Sequence, residues 1–189
     1  MYTYNDLANK MVLITGASGD IGLAICDGFL GQQCTVFALY NSSPGALNEL
    51  KKQHPKGDQL HILHCDLVSQ SDISTLCNHL TEVSGKIDVL VNNAGINIPK
   101  LLVDAKDSES KYVADETAFD KMTSINQRGL FLISQAAGKV FVDQKHGVIV
   151  NMSSESGAEG SEGQSIYAAT KAALNSYTRS WAKELGKYN

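Results

Sequence analysis

The chain has no cluster of Lys and Arg, no apolar run long enough to cross a bilayer, no C-x-x-C pair and no internal repeat. Each absence removes a class of function. Its 16 basic residues are scattered among 20 acidic ones for a formal charge of -4, which leaves no electrostatic footprint for a nucleic-acid backbone or an anionic membrane surface. The opening "MYTYNDLANKMVLITG" carries no basic region followed by an apolar segment, and nothing approaches the roughly 18 apolar residues of a spanning helix, so the expected compartment is the cytoplasm. Cys26, Cys34, Cys65 and Cys77 have neither metal-ligand nor redox spacing and read as reduced, buried thiols. His61 and His64 fail as a chelating pair because residues three apart on a strand point to opposite faces, so no metal is expected.

What is present is an alternation of short β-branched runs with helical periods, in a chain of 189 residues and 43% hydrophobic content. That length closes one core, and the expectation is a single domain over 1–189. The runs "KMVLIT", "CTVFALY", "LHILHC", "KIDVLVNN" and "GVIVNM" read as five strands. Between them come a helix with Ile21, Ile25 and Phe29 on its apolar face, and a short one with Leu47 and Leu50. Next is a helix from about Ser71 to Ser84 carrying Ile73, Leu76, Cys77, Leu80 and Val83, then a long period through Phe119, Met122, Leu130 and Ile133. "SIYAATKAALNSYTRSWAKELG" is a last helix ended by Gly186. Alternation of this kind predicts an α/β fold, a doubly wound parallel sheet covered by helices.

Two stretches carry chemistry. "TGASGDIG" falls where the first strand turns into the first helix, a place where Gly16, Gly19 and Gly22 let backbone approach a pyrophosphate and the helix N-terminus attracts its charge. A glycine-rich turn also arises as plain turn chemistry, so context decides. The second strand ends in "LYNSS", with no carboxylate to hold the free ribose hydroxyls of NAD. Asn41, Ser42 and Ser43 can donate to the extra phosphate of NADP, although no Arg or Lys stands beside them. The second stretch is "YAATK". Tyr167 and Lys171, four apart, share a helix face, and a positive charge near a phenol favours its phenolate; by itself the pattern is far more often just a solvated helix pair. Ser154 lies at the end of the fifth strand, where such sheets present their ligand crevice, and Asn126 lies inside the preceding long helix.

Taken with "CDL" (Cys65 to Leu67), "NNAG" (Asn92 to Gly95) and "SSESG", these motifs resemble the short-chain dehydrogenase/reductase family, in the subset of 3-oxoacyl-carrier-protein and acetoacetyl-CoA reductases. The likeness runs from Lys10 onward, and the intervals fit it: 28 residues from Asn126 to Ser154 and 13 from Ser154 to Tyr167. It implies a Rossmann-type fold and NAD(P)-dependent hydride transfer between nicotinamide and a carbonyl or secondary alcohol. In that transfer Tyr167 is general acid/base, Ser154 polarises the oxygen, Lys171 lowers the phenol's pKa and holds the nicotinamide ribose, and Asn126 anchors a water. The S-x-x-G pattern picks Ser154 over Ser153. The cofactor positions implied are Gly16, Ser18, Asp20, Ile21, Gly22, Asn41, Ser42, Asp66, Leu67, Asn93, Ala94, Gly95, Tyr167 and Lys171, with NADP ahead of NAD. A homodimer through the helices bearing Asn126 and Tyr167 is also implied.

The chain departs from the family pattern in three places. Asp20 stands where the subset has glycine, and it is expected to cap the first helix through a backbone N–H. The stretch between Gly95 and Asn126 is long and acidic, either a lid or a surface ornament, and ill suited to a strongly anionic substrate. The family's sixth and seventh strands are missing, so the domain is expected to be incomplete at its C-terminus. "GVIVNM", read as buried on both faces, would then be an apolar edge needing cover. The alternative function is a truncated non-catalytic nucleotide-binding or interaction module derived from the family.

Overall fold

Runs of Val, Ile and Leu buried on both faces are stable only in a parallel sheet with helices on either side, and that is what they build. The computed structural model describes residues 4, 6–83, 85–107 and 110–188, the side chains of residues 77 and 81–83 apart. Among them the strands are β1 (Met11–Ile14), β2 (Thr35–Tyr40), β3 (Leu60–His64), β4 (Val89–Asn92) and β5 (Val148–Asn151). All neighbours pair in parallel, in the order β3-β2-β1-β4-β5. The helices are α1 (Asp20–Gly31), α2 (Gly45–Gln53), α3 (Gln70–Val83), α4 (Glu116–Thr123), α5 (Leu130–Gln144), α6 (Ser156–Glu159) and α7 (Ser165–Leu185). None of them is long and apolar enough to cross a membrane.

Alternation along the strands divides the core in two. Leu13, Phe37, Leu39 and Leu90 face Ile73 and Leu76 of α3, Leu130 and Ile133 of α5 and Leu174 of α7. Val12, Ile14, Val36, Ala38 and Val91 face Cys26 and Leu30 of α1 and Leu47 of α2. Each such aliphatic side chain contributes about 1.5–3 kcal/mol on burial. The chain runs outward from β1 through β2 to β3, then returns to the other side of β1 with β4. That reversal opens a crevice at the C-terminal ends of β1 and β4.

Several expectations need correction. The buried stripe of α1 is Gly22, Cys26 and Leu30, one residue on from the predicted face, and Ile21 is 62% exposed. The reason is that Gly22 must lie flat against the preceding loop, which sets the rotation of the whole helix. Phe119 is exposed as well, so the apolar period of α4 runs through Ala118 and Met122. Gly186 is right-handed (φ -57°) and leads into one more 3-10 turn, Gly186–Tyr188, so it is no left-handed cap. β5 is the edge strand that was expected, but it is not buried on both faces: Val148 and Val150 are 52% and 40% exposed. Cys77 and Val83 lie outside the described side chains, and Ser84 outside the described residues. Cys26, Cys34 and Cys65 are buried thiols that form no disulfide, and burial pushes the Cys26 thiol up to about 12.

At the opposite end of the sheet from the crevice, Asp88 ties β1, β4 and the approach to β5 together. Its carboxylate accepts the Met11 N–H at 2.8 Å, meets His146 Nε2 at 3.0 Å, and lies 3.3 and 3.4 Å from the ammonium groups of Lys86 and Lys10. Burial alone would raise its pKa, but those four partners together outweigh it and hold the group at about 2. A depressed carboxylate pKa supplies stability above the unfolded value near 4, lost as pH falls through the folded value. Asp88→Asn is therefore expected to cost about 2–3 kcal/mol at neutral pH. Denaturant midpoints of the two proteins should converge as pH falls from about 4 toward 2. A constant gap across that range would show that the charge is not what stabilises.

Candidate active site

Glycine is required at two points of the crevice. Gly16 has φ +61°, and a Cβ there would come within 2.7 Å of the Ala94 Cα. A Cβ on Gly22 would be 2.3 Å from the Gly16 carbonyl oxygen. The loop after β1 is thus pressed between the loop after β4 and the first turn of α1. Gly19 has room for a methyl group and serves as the N-cap of α1, with no side-chain cap bond. Asp20 does not cap either, contrary to expectation. It sits at the first helical position, one residue too late to reach back to the free N–H groups, and is exposed. The first N–H groups of α1, in the stretch that includes Ser18 and Ile21, receive no side-chain cap.

Thr15, not singled out from the sequence, joins the two loops. It is fully buried, and its hydroxyl accepts the N–H groups of Asn93 and Ala94, each at 3.0 Å. Asn93 returns the contact, donating to the carbonyls of Thr15 (3.2 Å) and Gly16 (3.0 Å). Its amide therefore holds the glycine loop in place. The available signal was a Thr directly before the first glycine. Asn41 and Ser42 are exposed just past β2. Asp66, past β3, accepts the Val68 N–H at 3.0 Å, while Leu67 is buried in the core against Gly129.

On the β5 side, the long helix is interrupted by a π-helical turn, Ser124–Gly129, between α4 and α5. That turn aims Asn126 inward, where it is fully buried. Its Oδ1 accepts the Ile96 N–H at 2.8 Å, and its Nδ2 donates to the Ile96 carbonyl at 2.8 Å and to Thr170 Oγ1 at 3.1 Å. Both amide hydrogens are used. The side chain fixes the loop after Gly95.

Lys171 is 4% exposed and its pKa is lowered by burial. Its ammonium donates to the Met152 carbonyl at 2.6 Å, lies 5.7 Å from the centre of the Tyr167 ring, and passes close to Gly95, where a Cβ would be 3.5 Å away. Tyr167 is half-buried on the adjacent turn, and no described residue hydrogen-bonds its hydroxyl. The two serines differ in what they hold. Ser153 donates to the Lys171 carbonyl at 3.1 Å, whereas Ser154 only accepts a long bond from the Ser156 N–H at 3.3 Å and donates to no described residue. The free hydroxyl is that of Ser154. Thus Lys171 connects the loop after β5, which carries Ser154, with the Tyr167 turn of α7, beside the loop that Asn126 fixes. The arrangement can hydrogen-bond and protonate an oxygen that gains negative charge.

A separate hollow of about 330 Å³ lies beside β5, walled by Phe141, Val148, Trp181 and Leu185. It is apolar, lies away from the glycine loop and contains none of the four groups, so it is not the site. No group of three or more His, Cys, Asp or Glu among the described residues could hold a metal ion.

Comparison with known proteins agrees on one family. A family model described as short chain dehydrogenase matches residues 10–189. The chain is 47% identical over 188 residues to a sorbitol-6-phosphate 2-dehydrogenase of Klebsiella pneumoniae, covering all of this chain and 68% of that enzyme. It is 33% identical over 183 residues to a 3-oxoacyl-[acyl-carrier-protein] reductase of Thermotoga maritima, covering 97% and 71%. Among solved structures, an NAD+-bound xylitol dehydrogenase superposes with a TM-score of 0.84 at 26% identity, over 97% of this chain and 67% of that one.

Proposed function

This chain belongs to the short-chain dehydrogenase family, and on that footing we propose that it interconverts a secondary alcohol of a linear polyol phosphate with the corresponding ketone. It is an oxidoreductase whose nicotinamide cofactor, when bound, supplies or accepts the hydride. A single dinucleotide-binding domain does the work of holding and orienting.

What supports the cofactor position is the cradle at Gly16 and Gly22, where added methyl groups would collide with backbone, together with the uncapped start of α1. Gly16, Ser18, Asp20, Ile21 and Gly22 hold the pyrophosphate; Asp66 and Leu67 flank the adenine. Asn93, Ala94 and Gly95 form the floor, with Tyr167 and Lys171 at the nicotinamide ribose. NADP is the preferred carrier, since the end of β2 offers donors at Asn41 and Ser42 and no carboxylate to repel a 2′-phosphate. In reduction, Ser154 hydrogen-bonds the substrate oxygen as charge grows on it, and Tyr167 delivers the proton. Lys171 stabilises the phenolate left behind. Support for a working enzyme over a non-catalytic module comes from Lys171, whose ammonium lies 5.7 Å from the Tyr167 ring and donates to Met152 on the approach to Ser154, with Asn126 fixing the loop after Gly95.

The 47% identity to a sugar-phosphate dehydrogenase favours a phosphorylated polyol. The acidic stretch after Gly95 does not oppose this, because Lys100, Lys106 and Lys111 lie in it. Lys100 is anchored beside α7 by its N–H to the Gly163 carbonyl at 2.7 Å. The outer faces of α4, α5 and α7 carry exposed Phe119 and Phe131 and a Tyr177–Trp181 stack with centroids 5.1 Å apart. They form the homodimer contact of a cytoplasmic enzyme.

The test is turnover of sorbitol 6-phosphate, sorbitol and xylitol with oxidised NADP or NAD, and of a 3-oxoacyl thioester with the reduced forms. The highest kcat/KM is expected on the phosphate ester, with NADP above NAD. Turnover confined to the thioester removes the substrate, and a higher kcat/KM with NAD removes the carrier preference. Cofactor binding without turnover on any of them restores the module. A monomer mass by light scattering removes the dimer.

A further inference from the structure

Thr170 sits between the two catalytic positions of α7, three residues after Tyr167 and one before Lys171, and is fully buried. A threonine that back-bonds within its own helix is ordinary, and the donation of its hydroxyl to the Tyr167 carbonyl at 2.7 Å is of that type. The second bond is not. The same oxygen accepts a hydrogen from Asn126 Nδ2 at 3.1 Å, across a separation of 44 residues. Because the hydroxyl hydrogen is committed to the Tyr167 carbonyl, the oxygen can only accept from Asn126. The Asn126 amide in turn has a fixed orientation, set by its reciprocal pair with the Ile96 backbone.

Resting on the function proposed above, we infer that Thr170 is a positioning residue for proton transfer: its hydroxyl locks the catalytic turn of α7 to the π-helical turn and, through Asn126, to the loop after Gly95. A helix behaves as a rod, so one buried lateral bond at Thr170 sets the rotation and height at which both Tyr167 and Lys171 are presented. The same chain of bonds reaches the floor of the crevice, since Gly95 adjoins both Asn126 Oδ1 and the Lys171 ammonium. The crevice floor and the proton donor are thereby kept in one frame.

The experiment compares Thr170→Val, which keeps the shape and removes the hydroxyl, with Thr170→Ser, which keeps the hydroxyl. Sorbitol 6-phosphate and NADP serve as the assay pair. Thr170→Val is expected to lower kcat about tenfold, to change KM for NADP by less than about twofold, and to displace the alkaline limb of the kcat pH profile. Thr170→Ser should recover most of the loss and the original profile. A Thr170→Val protein that melts earlier but keeps the wild-type kcat and pH profile overturns the inference, because that is what a purely structural residue would do. If the wild type turns over none of the substrates, the proposed function fails separately. A crystal structure of Thr170→Val then decides: a displaced Tyr167–Lys171 turn supports the inference, and superposition within coordinate error overturns it.

Discussion

Tyr167→Phe is expected to reduce kcat by about 10³-fold while leaving the affinity for NADP within about a factor of two. The phenol oxygen is what changes; the ring, its half-buried packing and its place 5.7 Å from the Lys171 ammonium are retained. No described residue depends on that oxygen for a hydrogen bond, so its loss leaves no buried partner unsatisfied, and the melting temperature should hardly move. Ser154 and the Lys171 charge remain, and electrostatic stabilisation by them sets the residual rate. Single-turnover kinetics separate the chemical step from cofactor release. If the variant keeps more than about a tenth of the wild-type chemical rate, Tyr167 is not the proton donor.

The sheet was legible because its strands are Val, Ile and Leu runs whose period fits only a covered parallel sheet, and each observed strand lies inside its predicted run. The helices were less so. α1 is turned by one residue because a backbone contact at Gly22 fixes its rotation, and a tertiary contact has no period in the sequence. The exposure at β5 follows from position: three apolar residues in a row look alike in a central strand and at an edge. The places of Tyr167 and Lys171 on one helix and of Ser154 just past a strand end could be read from the sequence, although the choice of Ser154 over Ser153 rested on the S-x-x-G resemblance. The residues that aim them could not. Thr15 and Thr170 act through a buried hydroxyl and Ile96 and Met152 through backbone groups, and such roles arise only when distant segments are brought together.

Gly157→Ala should be nearly as damaging as the loss of the phenol, although Gly157 has no functional group. The added Cβ would lie 2.7 Å from the Lys171 carbonyl carbon, 2.8 Å from its Cβ and 2.9 Å from the Ala172 nitrogen. All three belong to the helix frame, so none can swing aside, and α6 must back away from α7. That movement is carried directly to the reacting groups. Ser154 is two residues before α6, Ser153 is bonded to the Lys171 carbonyl at 3.1 Å, and the Lys171 ammonium is bonded to Met152 at 2.6 Å. Overpacking of this kind costs about 1–3 kcal/mol, which a well-formed core tolerates. Misplacing a reacting group by about 1 Å can cost 10²-fold in rate. The expected result is therefore a folded protein with kcat reduced about 100-fold, and NADP affinity changed by less than about threefold because the glycine loop lies across the crevice on β1. Gly28→Ala is the matched control: its added methyl meets nothing within 4 Å, and it should leave kcat unchanged. Wild-type kcat in Gly157→Ala would mean that α6 and α7 can separate without disturbing Ser154. The serine, and with it the assignment of the oxygen-binding hydroxyl, would then have to be sought elsewhere along the loop after β5.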